Sequence, residues 1–199
     1  FFPKPDKRSS GFLFPSFGED YTRGFAIRDA GWYLAFNDYW DSEIRGSIYS
    51  KGSWEASVNT RYMVNYKYNG GFNIRYAATK TGVEGTDNYG TNKDFNVTWN
   101  HTQRQEANPG TSFSANVNFG TGSYFRNTGA NGTNNFNDLT KNRMASSIAY
   151  GRVFADGKVN FTSTISHNQD MASGSVQLQL PNFSLNVSSF NPFDSKDRV

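Results

Sequence analysis

Trp54-Glu55-Ala56-Ser57-Val58-Asn59-Thr60-Arg61-Tyr62-Met63-Val64-Asn65-Tyr66-Lys67-Tyr68 is the stretch that decides the fold. Trp54, Ala56, Val58, Thr60, Tyr62, Val64, Tyr66 and Tyr68 share one side of an extended chain. Glu55, Ser57, Asn59, Arg61, Met63, Asn65 and Lys67 share the other, because successive strand side chains point to opposite faces. The run reads as one long strand over 54–68. Roughly 9–11 residues cross a bilayer at the usual tilt, whereas soluble strands average about 5–6. A strand this long, apolar on one face and polar on the other, calls for lipid on one side and water on the other.

The same alternation spreads outward. Upstream, Trp40, Ser42, Ile44, Gly46 and Ile48 alternate with Asp41, Glu43, Arg45, Ser47 and Tyr49. Downstream, Phe72, Ile74, Tyr76 and Ala78 oppose Asn73, Arg75 and Thr79. Phe95, Val97 and Trp99 repeat the pattern, as do Phe113, Ala115, Val117 and Phe119, and later Val159, Phe161 and Ile165, with a weaker strand over 144–154. Val176, Leu178 and Leu180 carry the phase to Pro181, where it shifts to Phe183, Leu185 and Val187, so a bulge or strand break is expected there. No helical period appears. The expectation is an all-β, antiparallel transmembrane β-barrel, with about ten strands present as a fragment of a larger barrel.

Composition agrees. The 199 residues are 17% aromatic yet have a negative mean hydropathy, the profile of a sheet whose lumen side is polar and whose lipid side is not. No run approaches the roughly 18 apolar residues of a membrane helix. With no cysteine, thiol nucleophiles, disulfides and Cys-containing zinc sites are excluded. The formal charge of +3 is spread along the chain without a basic patch, which argues against nucleic acid. His101 and His167 lie on the apolar phase near strand ends, a poor basis for a metal site, and no nucleophile–base–orienter set or nucleotide-binding loop can be assigned, so neither enzyme chemistry nor a cofactor is expected. Asn-x-Thr sequons at Asn96 and Asn160 fall in strands and read as chance.

Tight turns are expected near Asn37-Asp38, Lys51-Gly52, Asn69-Gly70-Gly71 and Ala155-Asp156-Gly157, and longer connections over 84–94 and 121–141. Counting hairpins puts both long connections on one side, the outer one in a barrel of the outer membrane; the low-complexity run 120–137 reads as a mobile surface loop. Trp40, Trp54, Tyr66 and Tyr68 fit an aromatic girdle. Glu43, Arg45, Glu55 and Arg61 are the lumen-facing candidates, either paired across strands or available to phosphates and sugars; cross-strand pairing is the reading preferred. The first two strands are irregular, broken by Pro15 and by Asp29-Ala30-Gly31.

Lys7-Arg8-Ser9-Ser10-Gly11-Phe12-Leu13-Phe14-Pro15 resembles the start of the barrel of the LptD family, the lipopolysaccharide-assembly proteins of the bacterial outer membrane. Trp32-Tyr33, Asp41, Ile48-Tyr49, Arg61-Tyr62 and Lys67-Tyr68 fit the same resemblance. Leu180-Pro181-Asn182-Phe183-Ser184-Leu185 with Asn191-Pro192-Phe193 is similar to a later stretch of Bacteroidetes-type members. The resemblance implies a single domain over 1–199 made of the N-terminal barrel strands, truncated at both ends. It implies a translocon that inserts lipopolysaccharide into the outer leaflet through a lateral gate between first and last strands. Its implied partners are lipopolysaccharide, outer-membrane lipid, a plug lipoprotein of the LptE type and periplasmic jellyroll bridge proteins. Pro15 matches the first gate proline; the second is absent, and Gly31 stands close to its position. Pro15 also reads as an ordinary edge proline and Gly31 as an ordinary bulge glycine.

The alternatives are a self-contained small outer-membrane barrel (pore, adhesin or barrel enzyme) and a soluble β-sandwich or solenoid. The start Phe1-Phe2-Pro3 lacks a signal-peptide pattern, and Asp194–Val199 reads as a loop, both of which fit a mature or fragmentary chain.

Overall fold

The computed structural model describes residues 8–82, 84–124 and 142–188. Eleven strands follow in chain order: β1 (Gly11–Leu13), β2 (Ser16–Asp20), β3 (Gly24–Ala35), β4 (Trp40–Tyr49), β5 (Trp54–Val64), β6 (Tyr68–Thr81), β7 (Gly90–Gln103), β8 (Thr111–Gly120), β9 (Arg143–Phe154), β10 (Val159–Asp170) and β11 (Val176–Val187). They form one antiparallel sheet in which each strand pairs with the next, except that β1 and β2 both pair with β3. Two short 3₁₀ turns, Gln105–Ala107 and Ala155–Gly157, lie in the connections after β7 and β9. β1 and β2 are two halves of one rung, so about ten strands was the right expectation.

Register puts the apolar phases of neighbouring strands together. Ile44 faces Val58, Val58 faces Ile74, Ile74 faces Val97, and Val97 faces Phe119. The polar phases align in the same way, through Glu43, Asn59, Asn73 and Thr98. Burial is inverted relative to a water-soluble protein. Asp41, Ser47, Thr79, Asp94 and Asn96 are buried on the polar face. Ile44, Ile48, Trp54 and Ile74 are exposed on the apolar one, Ile48 at 59%. No second layer covers that face among the described residues. Exposed aliphatic and aromatic side chains in a continuous band are what a lipid solvent requires.

One expectation is corrected. The stretch 54–68 is not a single strand: β5 ends at Val64, Asn65-Tyr66-Lys67 turns, and β6 starts at Tyr68. Tyr66 takes a left-handed φ of 62°, and the Lys67 N–H donates to the Val64 carbonyl. Val64 pairs with Tyr68 across this turn. Asn69-Gly70-Gly71, expected as the turn, lies inside β6. A side chain at Gly70 would strike the Asn100 carbonyl and the Tyr62 ring, so the glycine serves close approach rather than reversal. The length argument passes to β6 and β7, each of 14 residues.

The other connections fall as expected or nearly so. Residues 36–39, 50–53 and 155–158 link strands tightly, and the first long connection is 82–89 rather than 84–94 because β7 begins at Gly90. Residues 104–110 and 171–175 are further connections that the sequence reading did not single out, although Asn108-Pro109-Gly110, with Gly110 at φ 79°, is a turn-forming run. The alternating order puts the end of β6 and start of β7, and the end of β8 and start of β9, at one end of the sheet, with 36–39, 65–67, 104–110 and 155–158 at the other. The low-complexity run lies mostly outside the described residues, as do Lys7, Asn191-Pro192-Phe193 and Asp194–Val199. The phase shift at Pro181 is a bulge: Thr164 faces Asn182, but Ser166 faces Gln179, leaving Leu180 and Pro181 opposite Ile165.

Candidate functional site

The irregular edge comes first. Leu13 faces Gly31 and Ser16 faces Arg28, so Pro15 stands opposite Asp29. Proline has no N–H to give to a ladder, which splits the rung into β1 and β2. Asp29 carries φ 58°, the left-handed region that non-glycine residues seldom adopt. On its other side β3 gains one residue against β4, because Ile27 faces Ile48 while Ala30 faces Gly46. The Asp29 N–H is caught by Ser47 Oγ at 3.1 Å instead of a backbone carbonyl. A missing donor in the edge strand and a bulge in its neighbour thus coincide at one level. Gly31 sits differently from the expectation of a disturbed position. It is paired on both sides, to Leu13 and Arg45, and a Cβ there would run into the Ile44 carbonyl. The kink is at Asp29, two residues earlier.

The polar face beside this edge carries a charge network. Asp41 faces Arg61 and Glu43 faces Asn59, which joins Arg61, Glu43 and Arg45 in one chain of ion pairs that ends on Asp41. Arg61 Nε donates to Asp41 Oδ1 at 3.1 Å and Arg61 Nη2 to Glu43 Oε1 at 3.3 Å. Arg45 donates through Nε and Nη2 to Glu43 Oε2 at 3.1 and 3.0 Å. Arg8 Nη1 reaches back from the chain before β1 to Asp41 Oδ2 at 3.1 Å. Glu55 stands apart: it accepts a 2.7 Å hydrogen bond from the Tyr49 hydroxyl, and the Arg23 guanidinium lies 3.8 Å over the Tyr49 ring. Arg8 was not among the candidate site residues. Asp41 was expected on the lumen side with Glu43 and Arg45, and the register adds that it links Arg8 to Arg61.

Arg8, Asp41 and Arg61, with Asn59, Asn73 and Asn100, line a groove of about 1020 Å³ at the short-turn end; Glu43, Arg45 and Glu55 lie outside its wall. At the opposite end, the start of the 121–142 connection is tied to the same face. Buried Asp94 accepts from Thr121 Oγ1 at 2.9 Å and from Ser123 Oγ, and Arg75 Nη1 donates to the Tyr124 hydroxyl at 3.3 Å. Tyr124, Met144 and Met171 pack into a small apolar cluster there. No sequence period marks this return of the chain onto the sheet.

The apolar face has its own assembly at the short-turn end. Trp40 stacks on Tyr62 at 4.8 Å, and His101 stacks on Tyr68 at 5.6 Å. The Tyr62 hydroxyl accepts from Trp99 Nε1 at 2.9 Å and lies 2.8 Å from His101 Nδ1. Aromatic rings with their polar tips satisfied suit a bilayer interface. Trp54 and Tyr76 form a smaller pair at the other end. The girdle therefore runs across neighbouring strands rather than along one; Tyr66 belongs to the turn. Among the described residues no group of three His, Cys, Asp or Glu side chains is placed to hold a metal ion.

With that geometry in hand, the family model described as LptD protein matches residues 1–199. No curated protein matches the chain to a significant degree.

Proposed function

Because this chain belongs to the LptD family, outer-membrane components of lipopolysaccharide transport, we propose that its sheet is the N-terminal wall of a lipopolysaccharide translocon whose β1/β2 edge is one side of a lateral gate. The observation that carries this reading is the coincidence of Pro15 with the Asp29 bulge. An edge with a missing donor and a kinked neighbour pairs weakly with whatever strand closes on it. Residues 1–199 act as one domain, with the apolar face in lipid and the long connections 82–89 and 121–142 outside the cell. Glu43, Arg45, Glu55 and Arg61 face the lumen, where a plug lipoprotein of the LptE type sits, and a periplasmic jellyroll bridge delivers lipopolysaccharide from the short-turn side. The stretch from Leu180 to Leu185 supports a Bacteroidetes-type member.

Both edges of the sheet are open among the described residues, since β1 and β2 pair only with β3, and β11 only with β10. In lipid, unsatisfied backbone groups cost several kcal/mol each, so these edges need partner strands. A self-contained barrel would close β11 onto the first rung; the open edges favour a larger one.

A substrate leaving the lumen sideways must touch both faces of the gate strand. A photo-crosslinking amino acid is placed at Leu13 or Phe12 of the full-length protein, on the polar and apolar faces of β1, and at Ser57 in the middle of the sheet. Pulse-labelled lipopolysaccharide should attach at positions 12 and 13 and much less at 57. Labelling at 57 with none at 13 overturns the gate reading.

A further inference from the structure

We infer that Arg8 and Asp41 form an ionic latch that fixes β1 to its own sheet, and that a phosphate-bearing lipid in the groove releases it so that the gate's edge strand detaches from β3 and the opening widens. This rests on the gate reading above and adds how the edge strand itself is held. β1 is held to β3 by three residue pairs and ends at the Pro15 break, so it can leave without β2. Beyond these pairs it is tied by the Phe12 ring set edge-on to Trp32 at 6.3 Å, by the Ala35 N–H donated to Ser10 Oγ at 2.9 Å and by the Arg8–Asp41 pair at 3.1 Å. Asp41 divides its oxygens: Oδ1 takes Arg61 and Oδ2 takes Arg8. The Asp41 side chain is 10% exposed, whereas that of Arg8 is 54% exposed.

Arg61, 59% exposed, is held by two carboxylates, Asp41 and Glu43, whereas Arg8 is held by Asp41 alone, so Arg8 is the partner that exchanges more readily. A guanidinium carries five N–H donors, and the Arg8 contact to Asp41 uses one nitrogen. Phosphate accepts a guanidinium in a two-pronged geometry that a single Asp41 oxygen does not offer. Arg8, Asp41 and Arg61 all line the groove, so a ligand there meets the latch directly. Moving Arg8 from carboxylate to phosphate removes a side-chain tie of β1 when cargo is present.

The test uses the full-length protein in lipid bilayers, spin-labelled at Phe12→Cys and Ile74→Cys, which lie on one apolar ladder four strands apart. Arg8→Gln should raise the long-distance population about threefold, the change a partly exposed ion pair is worth. Arg8→Lys should restore most of the closed distance, and hexa-acylated lipid A should shift the wild type toward the Arg8→Gln distribution while its dephosphorylated form does not. An unchanged distance in Arg8→Gln, or equal response to both lipids, overturns the latch. Failure of the gate itself appears separately, as loss of cross-linking at position 13 in the wild type.

Discussion

The block β5–β7 and the block β1–β3 are built from the same alternation, yet they behave as opposites. In β5–β7 the ladders run without interruption, from Trp54 with Ala78 to Val64 with Tyr68, and from Tyr68 with Gln103 to Thr81 with Gly90. In β1–β3 the rung is split at Pro15, and β3 carries a residue too many opposite β4. The apolar face does not explain this, since Phe12, Trp32 and Ile44 continue the band of Val58 and Ile74. What differs is backbone pairing alone. A sheet can keep its membrane face intact while one edge is made easy to separate.

The comparison can be broken most severely from its regular side. Gly70→Val places a branched side chain against the Asn100 carbonyl and the Tyr62 ring. The expected loss is about 3 kcal/mol, and tryptophan-detected urea unfolding in detergent measures it. If Gly70→Val is tolerated, β5–β7 is less tightly built than its register implies. Tyr62→Phe is milder. It strips the hydroxyl shared by Trp99 and His101 and should cost about 2 kcal/mol in the same assay, because an indole N–H is left without its partner.

The smallest effect belongs to the irregular side and sharpens the comparison most. Pro15→Val restores an N–H but leaves Asp29 in its left-handed bulge, so stability should rise by less than about 1 kcal/mol. Hydrogen exchange at residues 14–16 should remain fast. Strong protection there would show that Pro15 alone makes the break and that the bulge is incidental.

Much of this was legible in advance, for a physical reason. Strand parity is periodic, so the two faces of β4 to β8 and the bulge at Pro181 could be read from spacing. The turn at Asn65-Tyr66-Lys67 could not. It has an odd number of residues, so Val64 and Tyr68 keep the same parity and the apolar phase runs straight through the reversal. Gly70 and Gly71 looked like a turn because glycine serves close approach as readily as reversal, and spacing does not tell the two apart. Asp41, Glu43, Arg45 and Arg61 were visible as polar-face charges, but the pairing of Arg61 with both carboxylates depends on register. The same holds for the separation of Glu55, which went to Tyr49. Arg8 and the Asp94–Thr121 tie depend on chain segments that return to the sheet without any repeat.

The two open edges differ in one more respect, which bears on how such a sheet comes to be made. An unpaired strand is a template for any extended chain that meets it. β11 offers 12 exposed residues, with Leu178, Leu180, Phe183 and Leu185 among them, blunted only by the kink at Pro181. The first rung offers two short pieces separated by an imino acid. An unbroken edge of that length is the better template for a further strand, and the edge broken at Pro15 the poorer one.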